Sequence, residues 1–145
     1  MQAGGVPIYM GAFGDPMLRR IARHGDGWVG GAGPIAAFLA GVPSVRGYCS
    51  DIGRDPDSLA IAKLQSVSVA PTREQAKAQG EAHWRVYYNP DYDMDNATIY
   101  GTPEECREQF AVFRDIEHPR IELAMEPAGL EIEQLEMLAS ITTQA

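Results

Sequence analysis

The chain has 145 residues, 45% hydrophobic and 22% charged, the length of one domain and the composition of a globular protein with a core. No apolar run approaches the ~18 residues that span a bilayer, and the first residues lack the basic-then-apolar pattern of a secretory leader. A cytoplasmic protein without a membrane partner is expected. The formal charge is −8: seven bases face five acids over residues 1–73, and five face fifteen over 74–145. A nucleic-acid binder would carry a basic stripe, so that class is excluded, and any anion is expected in the first half.

Short apolar runs alternate with amphipathic stretches. Residues 6–10 read as a buried strand ended by Gly11. Asp15-Pro16 then predicts an N-cap followed by proline in the first helical position, with Met17, Leu18, Ile21 and Ala22 on one helix face and Gly25 as the stop. A second strand follows at 27–30. Residues 34–52 keep one helical phase through Ile35, Phe38, Leu39, Val42, Val45, Cys49 and Ile52, which predicts a single helix kinked at Pro43.

Gly53-Arg54-Asp55-Pro56-Asp57 is a loop, and 59–69 a long strand. Thr72 and Gln75 open a helix running to about Val86. Residues 87–100 read as a polar, aromatic loop. Thr102-Pro103-Glu104-Glu105 is a stronger helix start, with cap, proline and box glutamate in place. Residues 121–125 form the fourth strand, and Ile132, Leu135, Leu138 and Ala139 mark the inner face of the last helix. The order βαβαβααβα implies a parallel sheet with right-handed crossovers in one domain.

Two backbone-rich turns draw attention. Gly11-Ala12-Phe13-Gly14 joins a strand end to a helix start, where exposed amides and the helix dipole favour an anion; a tight turn without a ligand is the plain alternative. Gly30-Gly31-Ala32-Gly33 ends the second strand. Gly31, Gly33 and Ala36 also match a dinucleotide fingerprint, although Pro34 and the preceding βα unit speak against one. Lys63 and Gln65 share a face of the third strand and are candidates for substrate contact.

Asp91, Asp93 and Asp95 match the first ligands of a calcium loop, but Asn96 replaces its glycine and Thr102 its final glutamate. Tyr88, Tyr92 and Tyr100 instead suggest a lid. His24, His83 and His118 converge with no nucleophile, and Trp28 and Trp84 read as core. Cys49 and Cys106 fit no metal spacing. No metal site is expected, and no catalytic residue is identified.

Several motifs in order resemble the luciferase-like monooxygenase superfamily. They are Pro7-Ile8-Tyr9-Met10-Gly11-Ala12-Phe13-Gly14, Gly25-Asp26-Gly27-Trp28, Gly53-Arg54-Asp55-Pro56, Ser66-Val67-Ser68-Val69-Ala70 and Gly101-Thr102-Pro103-Glu104-Glu105. The resemblance implies a flavin- or F420-dependent oxidoreductase fold of the TIM-barrel type. A complete barrel takes about 250 residues, so the expected fold class is α/β, a four-stranded parallel (βα) half-barrel corresponding to strands 5–8.

The resemblance further implies that FMN or coenzyme F420 meets this chain through its phosphate. The positions are the main chain of Ala12, Phe13 and Gly14, with Met17 in the first helical turn and Gly30 and Gly31 in the neighbouring turn. Phe13 stands where a small residue is frequent. A small-molecule substrate is implied, and the unpaired edges of a half-barrel call for a homo-oligomer or an N-terminal half-barrel as partner. A non-catalytic half-barrel scaffold acting as an oligomer is the alternative.

Overall fold

The structure is a computed structural model that describes residues 5–129 and 131–142. The chain forms two compact units, one from residues 1–64 with 117–124 and one from 65–116 with 125–145. No helix among the described residues is long and apolar enough to cross a membrane.

In the first unit β1 (Tyr9–Gly11) pairs in parallel with β2 (Gly27–Gly30), Tyr9 opposite Gly27. β2 in turn pairs in parallel with the first residues of β3 (Ala60–Val69), Gly30 opposite Lys63. Helix α1 (Asp15–His24) buries Leu18, Ile21 and Ala22, while Met17 is exposed. Its N-cap is Gly14 and not Asp15, one residue earlier than expected. The physical reason is conformational. The cap has φ 85°, a region glycine enters freely and aspartate resists, and its carbonyl accepts the Met17 and Leu18 N–H groups.

Helix α2 (Ile35–Asp51) runs unbroken through Pro43, as the continuous phase predicts, and buries Phe38, Val42, Val45 and Cys49. Gly41 is required there: a Cβ would lie 2.5 Å from the Trp28 indole. After α2, Arg54 donates through Nη1 to the carbonyls of Ala22 (3.0 Å) and Gly25 (2.7 Å), which satisfies orphan acceptors at the end of α1.

In the second unit the later residues of β3 pair in parallel with β4 (Thr98–Gly101), Ser66 opposite Thr98. The stretch expected as a loop thus carries a fifth strand and a short helix, α4 (Met94–Ala97). Four residues are too few to show a period, but Met94, Ala97, Ile99 and Tyr100 are all buried and hold the segment in place. β5 (Ile121–Pro127) also pairs with β3.

Helix α3 (Arg73–Tyr87) is capped by Thr72, which accepts the Gln75 N–H. Helix α5 (Pro103–Phe110) has the complete box, Thr102 Oγ1 accepting from Glu105 N–H and Glu105 Oε2 from Thr102 N–H. Thr102→Ala is expected to cost about 1 kcal/mol of stability in urea unfolding, and no measurable loss would contradict this cap.

Helix α6 (Ile132–Thr142) turns a different face inward from the one expected. Leu138 and Ile141 are buried, but Ile132 and Leu135 are exposed. Buried Gln134 sets this rotation, since its Nε2 donates to Val69 O and its Oε1 accepts from Gln79 Nε2 at 2.6 Å. Cys49 and Cys106 are free, buried thiols, and burial pushes Cys106 up to about 12.

Candidate functional site

The site-bearing residues of the first unit lie in two turns at the C-terminal ends of β1 and β2. The first turn carries Ala12, Phe13, Gly14 and, in the helix that follows, Met17. No side chain caps the start of α1. The Asp15 carboxylate is directed instead to the Tyr48 phenol, whose pKa is raised by burial and then by this neighbour. The amides at this helix start therefore keep the partial positive charge that attracts an anion. A Cβ on Gly14 would meet nothing within 4 Å, so the backbone is open to close approach.

The second turn holds Gly30, Gly31, Ala32 and Gly33 and leads into α2, whose start at Pro34 also lacks a side-chain cap. Gly31 is open in the same way as Gly14. Gly30 has a different setting: a Cβ would come within 2.4 Å of the Phe38 ring, so its missing side chain serves packing.

Trp28 joins the two turns. Its buried indole donates from Nε1 to Ala12 O at 2.7 Å, stacks on Phe38 at 5.1 Å, and meets the Phe13 ring edge-on at 6.0 Å. The Phe13 ring also lies 3.7 Å from the position of a Gly33 Cβ, so its bulk is directed along the turns. Sequence reasoning placed Trp28 in the core and missed this bridging bond, because an indole N–H carries no motif.

Lys63, 0% exposed, reaches the second turn from β3. Its Nζ donates to Gly31 O (3.0 Å), Gly33 O (3.1 Å) and Leu64 O (3.4 Å). Burial lowers its pKa to about 8. Gln65, in the second unit, is equally buried and donates from Nε2 to Ser66 O and Ala97 O. Its Oε1 meets no donor among the described residues.

The tyrosines expected to form a lid pack within the second unit. Tyr88 and Tyr92 stack at 5.1 Å, Tyr88 donates to Glu126 Oε2 at 2.5 Å, and Tyr92 donates to Ser66 Oγ. Tyr100 donates to Asp95, which also accepts from Lys77.

The family model described as luciferase-like monooxygenase matches residues 1–117. The chain belongs to this family. Among solved structures, it resembles the coenzyme F420 dependent tetrahydromethanopterin reductase from Methanopyrus kandleri, at 17% identity and a TM-score of 0.64 over 92% of this chain and 49% of that one. It also resembles an F420-dependent secondary alcohol dehydrogenase in complex with an F420-acetone adduct, at 16% identity and a TM-score of 0.72 over 96% and 48%. A third is a riboflavin lyase with modified FMN and substrate riboflavin, at 16% identity and a TM-score of 0.61 over 92% and 40%. The chain spans about half the length of the first two and less of the third. At such identities the likeness is one of fold, and the α/β chain with its parallel strands corresponds to about half of a luciferase-like barrel.

Proposed function

We propose that this luciferase-like chain is the cofactor-phosphate-binding half of a flavin- or F420-dependent oxidoreductase. The supporting observation is the pair of adjoining strand-end turns, each leading into a helix without a side-chain cap, with open backbone at Gly14 and Gly31 and the Lys63 ammonium under the second. These residues fit a phosphate group. Ala12, Phe13, Gly14 and Gly31 would hold it through the main chain, with Met17 and Gly30 flanking. The cofactor, when bound, supplies hydride transfer or oxygen chemistry. The protein's part is to hold the phosphate end and fix its orientation. Gln65 remains a candidate for contact with a small-molecule substrate, whereas the Lys63 ammonium is held by main-chain carbonyls, and the proposed compartment is the cytoplasm.

A partner belongs to this proposal, either a second copy or an N-terminal half-barrel. Val6 and Ile8 are 83% and 60% exposed beside β1, an apolar surface that a neighbouring strand would cover. Titration with FMN and with F420, followed by cofactor fluorescence at defined oligomeric state, is the test. Saturable binding of one of them is expected. Failure of both to bind, in monomer and oligomer alike, would overturn the assignment.

A further inference from the structure

Lys63 poses a physical problem that the proposed function does not by itself resolve. An ammonium removed from water is costly unless a carboxylate or several acceptors replace its hydration. Among the described residues Lys63 pairs with no carboxylate; its three bonds all go to main-chain carbonyls, two of them in the glycine turn. The ionisable groups of neighbouring elements are engaged elsewhere. Residues 27–45 contain no acid, base, tyrosine or cysteine. Asp26 accepts the Ile8 N–H. Glu122 accepts from the Tyr9 hydroxyl and pairs with Arg120. Asp15 is directed to Tyr48.

The arrangement has a clear electrostatic consequence. A turn with glycine at three of its four positions is free to rotate its peptide planes, and a carbonyl turned outward would repel an anion. Each bond to Nζ fixes one carbonyl oxygen towards the lysine, while a Cβ on Gly31 would meet nothing within 4 Å.

We propose that Lys63 is a positioning residue for an anion at the second turn: it holds the Gly31 and Gly33 carbonyl oxygens inward and places a positive charge behind the backbone that a phosphate meets. This rests on the cofactor reading for the identity of the anion. Lys63 itself touches no ligand.

The test compares FMN with riboflavin, which lacks the phosphate, on the wild-type chain and on Lys63→Met, using flavin fluorescence at about pH 7. Wild type is expected to bind FMN about tenfold more tightly than riboflavin, and K63M to lose most of that preference while its riboflavin affinity is unchanged. A merely structural role would weaken both ligands together. A K63M protein that keeps the preference overturns the inference.

If K63M fails to fold, the wild-type chain supplies the measurement. Raising the pH from about 7 to about 9.5 discharges Lys63 while the FMN phosphate stays dianionic, so the FMN-to-riboflavin preference must fall. A preference that does not change with pH overturns the inference. If wild type binds neither flavin, the cofactor reading fails separately. Amide hydrogen exchange over residues 31–33 then decides the positioning role: exchange about tenfold faster in K63M supports it, and unchanged exchange overturns it.

Discussion

Trp28→Ala is expected to remove about 3–5 kcal/mol of stability, the largest loss from any single side chain around the two turns. The indole is fully buried, stacked on Phe38 and set against Gly41, where even a methyl group would collide with it. Truncation leaves a cavity among Phe13, Phe38 and Gly41, none of which can close it alone. It also frees Ala12 O from its 2.7 Å bond, so the first turn loses its tie to β2. Trp28→Phe separates the two effects. It keeps much of the packing and forfeits the bond, for about 1–2 kcal/mol. Urea unfolding followed by circular dichroism measures both, because removing one of the two tryptophans alters the fluorescence signal itself. A W28A protein within about 1 kcal/mol of wild type would show that the indole does not organise these turns.

The second large effect is a pH dependence that belongs to Lys63. Its folded pKa of about 8 lies below the ordinary 10.5. The folded chain therefore releases this proton first, and between those values the unfolded chain holds more protons. Stability then rises with pH across the window, by about 3 kcal/mol for this group alone. K63M lacks the contribution, so the wild-type-minus-K63M difference is expected to climb from about pH 8 to about pH 10.5 and to level off at either side. The buried phenols of Tyr88 and Tyr100 and the Cys106 thiol, all raised by burial, act in the opposite direction at alkaline pH. They do so in both proteins, and the difference isolates the lysine. Parallel stability curves would mean that Lys63 ionises as an exposed lysine does.

A buried ammonium costs stability at neutral pH, and a chain selected for stability alone has little reason to keep one. Its presence under the glycine-rich turn fits a charge needed where the turn faces a ligand. That links the pH experiment on the ligand-free chain to the FMN and riboflavin comparison.

Local chemistry was legible in the sequence wherever the determining contacts lie within one turn of chain. Thr102 and Glu105 close a box over three residues, and the fold repeats it bond for bond. The phase from Ile35 to Cys49 survives Pro43 because the proline sits on the exposed side of a helix whose inner face remains apolar. The start of α1 was misread by one residue, since Asp15 and Gly14 are both acceptable caps until the backbone takes a positive φ that glycine accommodates best. The strand Thr98–Gly101 was missed because a four-residue strand has no period of its own; pairing with β3 and the burial of Ile99 and Tyr100 make it one.

The functional positions divide along the same line. From residue order alone one can place glycine turns after the first two strands and assign the chain to its family, because turns and caps are written in neighbouring residues. Tertiary structure alone decided that Trp28 ties Ala12 to β2, that Gly30 is spent on Phe38 while Gly31 stays open, and that Lys63 turns to main-chain carbonyls about thirty residues earlier. Those outcomes depend on which strands lie side by side and on what burial does to a charge, and neither is a property of any short stretch of sequence.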